Sequence, residues 1–84
     1  MNTTMMPPLT KFKRYDVRSL ISAGEEPFPK IRTRLNTLAP GEGLLIIALF
    51  LPSPLIEKLQ SEGFASKVEH GAGGQWMVYF WREV

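Results

Sequence analysis

Apolar and polar positions divide the chain into four predicted strands and two predicted helices. Residues 11–17 alternate between apolar and charged positions, as in a strand with one buried face. Residues 44–51 are continuously apolar, which indicates a strand covered on both faces or lying at the centre of a sheet. Residues 65–70 and 75–81 form two further strands, and the glycine-rich link between them predicts an antiparallel hairpin.

Both predicted helices carry an apolar stripe at helical spacing and begin next to a proline, which the first helical turn tolerates. The first helix follows a loop at residues 22–24 and ends at residues 40–41, a Pro-Gly pair. The second helix begins at Ser53 and ends at Gly63. The stripe of the first helix, which should face the core, consists of Phe28, Ile31, Leu35 and Leu38.

The resulting order, βαβαββ, predicts an α+β fold. Its simplest form is a two-layer α/β sandwich, with both helices on one face of a four-stranded mixed sheet. The opposite face of the sheet would then be open. We expect residues 11–84 to form this single domain. Residues 1–10 are expected to be a flexible N-terminal arm, because Pro7 and Pro8 exclude a continuing helix.

The composition excludes several chemistries. The chain of 84 residues contains no cysteine, which rules out disulfides, thiolate nucleophiles and cysteine metal sites. His70 is the only histidine, and a metal site needs several ligands, so we expect neither a metal nor a cofactor. The longest apolar stretch, residues 44–52, is less than half of a membrane span, and no signal segment is evident. The expected location is therefore the cytoplasm, away from membranes.

The net charge of +2 is unevenly distributed. Residues 1–39 carry seven basic and three acidic residues, whereas residues 40–84 carry three basic and five acidic residues. Such asymmetry can steer an anionic partner, although a solvated face is the commoner explanation. Contacts with phosphates would come from Lys30, Arg32 and Arg34, but the aromatic signature of the known RNA-binding modules is missing.

One end of the predicted sheet collects the candidate binding residues. Asp16 and Arg18 lie at the carboxyl end of the first strand, where ligands gather in open α/β sheets. We expect them to form the rim of a pocket with the entrance of the first helix; a salt bridge that ties the loop is the alternative. Catalysis is not expected, because two adjacent glutamates do not converge on one substrate atom. The candidates are Asp16, Arg18, Glu25, Glu26, Pro27, Phe28 and Pro29.

The last predicted strand is apolar on both faces. If the sheet has an open face, large aromatic side chains would be exposed there, as in a partner surface or a dimer interface. The candidates are Trp76, Tyr79 and Trp81. Coverage of that face by the N-terminal arm is the alternative.

The order and spacing of four short segments resemble domain-of-unknown-function family 2249, a relative of the TusA/SirA sulfur-carrier fold. The segments are Asp16-Val17-Arg18-Ser19-Leu20, Pro27-Phe28-Pro29, Leu38-Ala39-Pro40-Gly41-Glu42 and Pro52-Ser53-Pro54-Leu55. The resemblance covers about residues 12–82 and implies a TusA-like fold.

The resemblance also implies that this chain lacks the chemistry of the sulfur carriers. In the sulfur carriers, a Cys-Pro-x-Pro motif opens the first helix, and its cysteine carries a persulfide. Here either Glu26 or Gly24 takes the place of that cysteine, so no sulfur is present. Many members of the family show His-Asp-Pro-x-Pro-Leu after the second strand. This chain has Phe50 and Leu51 at the two polar positions, so no metal or redox role is implied there.

These observations leave three functional hypotheses. The leading one is a non-catalytic binding or regulatory module that acts through a protein partner, a second copy of itself or a small apolar ligand near the entrance of the first helix. The second is association with RNA through the basic N-terminal half. The third, implied by the resemblance, is an accessory role in sulfur transfer or redox metabolism, with a partner supplying the thiol.

Overall fold

The computed structural model describes residues 6–82, and its strands and two longer helices follow the predicted order, with one short additional helix at Arg18–Ser22 that was not predicted. The strands are β1 (Phe12–Asp16), β2 (Gly43–Ala48), β3 (Phe64–His70) and β4 (Trp76–Arg82). The helices are α1 (Arg18–Ser22), α2 (Phe28–Asn36) and α3 (Ser53–Ser61). Single 3₁₀ turns lie at Leu9–Lys11 and Ala72–Gly74. Of the predicted N-terminal arm, residues 1–5 lie outside the described residues.

The sheet is mixed and four-stranded, as predicted, with the order β1-β2-β4-β3. β1 runs parallel to β2, while β4 is antiparallel to both of its neighbours. The predicted hairpin of the last two strands is thereby confirmed. The continuously apolar β2 lies in the interior of the sheet, as its sequence indicates.

The core fills the space between one sheet face and the two longer helices. Within the sheet, Leu44 lies beside Phe80 and Ile46 lies beside Val78, and these four side chains are almost completely buried. The helices supply the opposite half of the same cluster with Ile31, Leu35 and Leu59. Both longer helices therefore cover the same face, as predicted.

The opposite face of the sheet is apolar, but its aromatic residues are not exposed. Strand alternation places Tyr79 and Trp81 on this face, where they are only 5% and 6% exposed. Trp76 belongs to the helix-bearing face and stacks on His70, with ring centroids 4.3 Å apart. The exposure expected for these aromatic side chains is thus not found, and the three tryptophan and tyrosine residues do not share one surface.

Phe12 covers this aromatic pair from the edge strand. Its ring packs edge-to-face against Tyr79 at 5.2 Å and against Trp81 at 6.2 Å between centroids. The contact crosses the intervening strand β2 at Gly43, which is paired with both Phe12 and Trp81. A Cβ at Gly43 would lie 2.6 Å from Phe12 Cδ2 and 2.8 Å from the Phe80 carbonyl oxygen. Glycine is therefore required for close approach, because it leaves room for the ring.

We expect Gly43→Ala to lower the free energy of unfolding by about 1–3 kcal/mol, because the added methyl group overlaps the Phe12 ring. Urea unfolding followed by circular dichroism measures this loss. In a Phe12→Ala background the same substitution should cost less, since only the overlap with the Phe80 carbonyl oxygen remains. An equal cost in both backgrounds would show that the ring over Gly43 is not the constraint.

Candidate functional site

A cavity of about 620 Å³ opens where the start of α2, the end of β2 and the start of α3 meet. Its size falls within the range of roughly 300–1,000 Å³ that is usual for small-molecule sites. The lining is mainly apolar and comes from both layers of the fold. The apolar side chains that contribute, prolines aside, are Val17, Ile21, Phe28, Ile31, Ile46, Ala48, Phe50 and Leu55.

The mouth of the cavity carries the charges. Glu25 and Glu26 lie in the α1–α2 loop, and Lys58 extends from α3. The lysine is already paired with Glu62, with its Nζ atom 3.6 Å from a carboxylate oxygen. Among residues 6–82, neither Glu25 nor Glu26 forms an ion pair. The mouth is consequently acidic.

The local backbone explains why both glutamates reach the mouth. Gly24 adopts φ +77°, a left-handed conformation that ends α1 and reverses the chain. The Glu25 N–H donates to the Leu20 carbonyl oxygen at 2.9 Å and fixes this reversal. Pro27 then precedes α2, where a missing N–H costs no helical hydrogen bond.

The predicted binding residues are divided between two places. Glu25, Glu26, Pro27 and Phe28 line the cavity, and Pro29 is not part of the lining.

The expectation that Asp16 and Arg18 form part of the pocket rim is wrong, because neither residue lines the cavity. Asp16 lies level with Ile47 and Met77 on the sheet face that carries no helix. Its carboxylate accepts hydrogen bonds from the Arg18 side chain at 2.9 and 3.1 Å and from the Arg18 backbone N–H at 3.0 Å. Arg18 Nη1 also donates to Gln75 Oε1 at 3.0 Å. The alternative expectation, a salt bridge that ties the loop, matches this geometry.

The sequence analysis did not predict that the segment between β2 and α3 lines the cavity. The apolar run 44–51 is predicted as a single strand, but β2 ends at Ala48. Leu49, Phe50 and Leu51 then leave the sheet, are 40–54% exposed, and place Phe50 in the cavity lining. The available signal was Pro52, because a proline so close to the end of the run requires the chain to turn away from the sheet.

The predicted anion contacts are mostly engaged within the domain. Arg32 donates to Glu62 at 2.7 Å, and this hydrogen bond lowers the pKa of the Glu62 carboxyl. The guanidinium of Arg34 lies 3.9 Å from the centroid of the Tyr15 ring. Within residues 6–82, Lys30 alone of the three predicted contacts has no such partner.

Residues 6–82 contain no group of three or more histidine, aspartate or glutamate side chains placed to hold a metal ion. In the same part of the chain, no helix combines the length and the apolar character needed to cross a membrane.

We expect Asp16 to make folding stability fall in acid. Hydrogen bonds from the Arg18 side chain lower the pKa of the Asp16 carboxyl from 3.8 to about 2. A depressed pKa in the folded state stabilises the fold above pH 3.8, and this contribution is lost as the pH falls towards about 2. Because the pair is more than one-third exposed, the contribution should stay below about 1 kcal/mol.

The measurement is urea unfolding of the native chain and of Asp16→Asn, at neutral pH and again near pH 2. The difference in unfolding free energy between the two proteins should shrink across that interval. Glu57→Gln, an exposed change on α3, is the matched control. A difference that stays constant with pH would contradict the proposed role of the ion pair.

Comparison with known proteins identifies a family but no close relative. No curated protein and no solved structure matches the chain. The family described as "Uncharacterized conserved protein (DUF2249)" matches residues 14–82, a segment that includes the whole cavity lining and the Asp16–Arg18 pair. The relation to the TusA/SirA carriers stays a prediction. Since the match extends over most of its length, the chain belongs to the DUF2249 family.

Proposed function

We propose that this domain is a non-catalytic binding module that holds a small, mainly apolar ligand in the cavity at the entrance of α2. The observation that carries the proposal is the cavity itself, about 620 Å³ in volume and lined chiefly by aliphatic and aromatic side chains. Burial of an apolar ligand there would remove its surface from water, which contributes roughly 25 cal/mol per Å². We further propose that the fold is related to that of the TusA/SirA carriers and that the protein is cytoplasmic.

The charges at the mouth favour a ligand with a positively charged end. Glu25 and Glu26 are exposed and unpaired within residues 6–82, so an ammonium group at the mouth would meet two carboxylates. Lys58 is the single basic residue of the lining and is outnumbered there by the two carboxylates. An apolar amine therefore fits both the lining and the mouth.

Binding without turnover fits the side chains that line the cavity. Its ionisable members are two carboxylates and one lysine, and it contains no serine, threonine, tyrosine or histidine. Covalent catalysis usually needs a nucleophile within hydrogen-bond reach of a base. A mainly apolar lining with its charges at the mouth therefore favours binding over covalent catalysis.

The other hypotheses stay predictions. Association with RNA would draw on the basic N-terminal half, in which Arg32 and Arg34 already contact Glu62 and Tyr15. An accessory role in sulfur transfer depends on a thiol from a partner. A protein partner could instead insert an apolar side chain into the same cavity.

Filling the cavity should weaken ligand binding. Ala48 is buried, lines the cavity and lies on the helix-bearing face, so Ala48→Leu extends into the empty volume. We expect apolar amines from a small fragment library to bind the native domain in ligand-observed NMR and to bind Ala48→Leu at least about tenfold more weakly. Ala72→Leu, in the exposed β3–β4 turn, is the matched control. Equal binding by all three proteins would refute the cavity as the site.

Removal of the acidic charge should change which ligands are preferred. The double substitution Glu25→Gln/Glu26→Gln should weaken amine binding by roughly two- to fivefold for each carboxylate, as expected for exposed charge pairs. Isosteric ligands that end in a neutral hydroxyl should bind the native and substituted domains alike. Glu57→Gln, which changes a charge outside the lining, is the control in the same titration. Unchanged amine affinity would remove the ionic part of the proposal.

A further inference from the structure

The outer edge of β3 is a second surface that neither the fold nor the cavity uses. Within residues 6–82, β3 pairs with β4 on one side only. The strand is seven residues long, and its last four residues, Lys67 to His70, are exposed. A long exposed edge presents backbone donors and acceptors that another strand can pair with.

The sequence of this edge is complementary to itself. In an antiparallel pair of two β3 strands related by a twofold axis at Val68, Lys67 of each copy lies directly opposite Glu69 of the other. The same register places Val68 opposite Val68 and Ser66 opposite His70. Opposite charges in directly opposed positions stabilise an antiparallel pair by roughly 0.2–1 kcal/mol each.

We propose that a second copy of this chain docks on the β3 edge and extends the sheet across the twofold axis. The occupant is argued from charge: in this register Glu69 of each copy lies opposite Lys67 of the other, so two pairs of opposite charges cross the axis. The resulting assembly is an isologous dimer with a continuous antiparallel strand pair at its centre.

Pairing at the free edge would disturb only a weak interaction within the chain. Lys67 and Glu69 already form an ion pair within the strand, with Nζ 3.4 Å from a carboxylate oxygen, and their side chains are 52% and 43% exposed. Exposed pairs of this kind contribute little, so exchange between copies costs little. The Tyr79 hydroxyl donates to Glu69 at 3.3 Å from the neighbouring strand and holds the carboxylate on the same face.

The other edge of the sheet lacks this property. β1 is only five residues long and carries Lys13 and Arg14, so a twofold axis at its centre places Arg14 opposite Arg14. Like charges in directly opposed positions destabilise a strand pair. Its single acidic residue, Asp16, is committed to Arg18. Self-association is therefore assigned to β3.

The test reverses the charges of Lys67 and Glu69 by substitution and measures dimerisation of the full chain by sedimentation equilibrium over a range of concentrations. The native chain should dimerise. Lys67→Glu and Glu69→Lys should each weaken the dimer at least about tenfold, because each creates two like-charge pairs at the axis. An equimolar mixture of the two variants should form a heterodimer, and the double substitution K67E/E69K should restore the homodimer.

Several results would overturn the proposal. A native chain that stays monomeric at the highest concentration would do so, and so would a dimer that neither single substitution weakens. Failure of both the mixture and the double variant to restore association would exclude this register. Circular dichroism of each variant shows whether it is folded, and the double variant keeps the test decisive if a single variant unfolds. None of these results depends on a ligand in the cavity, so the two proposals fail separately.

Discussion

Burial of β2 on both of its faces is the constraint on which the rest of the structure depends. One face packs Leu44 and Ile46 against the helices, and the other has to be covered without a second layer of helices. The ring of Phe12 covers the Gly43 end of this face, where it lies across the glycine and reaches the aromatic side chains of β4. One residue of the edge strand thus covers part of one sheet face, whereas two helices cover the other face.

The cavity is a second consequence of the same arrangement. β2 ends at Ala48, a small residue, and the chain that follows leads into the start of α3, while the start of α2 lies on the opposite side of the same cavity. Small side chains and prolines at this junction leave a space that the surrounding helices do not fill. The acidic loop at its mouth comes from the reversal at Gly24, so backbone conformation, rather than ion pairing, brings both carboxylates there.

Much of this architecture could be predicted from the sequence, because long periodic segments carry a strong signal. The stripe that includes Ile31 and Leu35, the apolar run of β2 and the glycine turn before β4 each identified their element. α1 escaped detection, since five residues are too few to show a periodic stripe. The positions of Glu25 and Phe28 at a pocket were foreseeable from the helix entrance. The separation of these residues from Asp16 could not be predicted, because it depends on which face of the sheet carries the Asp16 side chain.

The link from Asp16 through Arg18 to Gln75 has a mechanical consequence. Arg18 is the first residue of α1, and Ile21, one turn further along, forms part of the cavity wall. Hydrogen bonds from Arg18 therefore tie the first residue of α1 to Asp16, at the end of β1, and to Gln75, just before β4. Both partners lie on the side of the sheet away from the cavity. The helix that contributes Ile21 to the cavity wall is therefore held at its first residue, through one guanidinium group, to groups on the opposite side of the sheet.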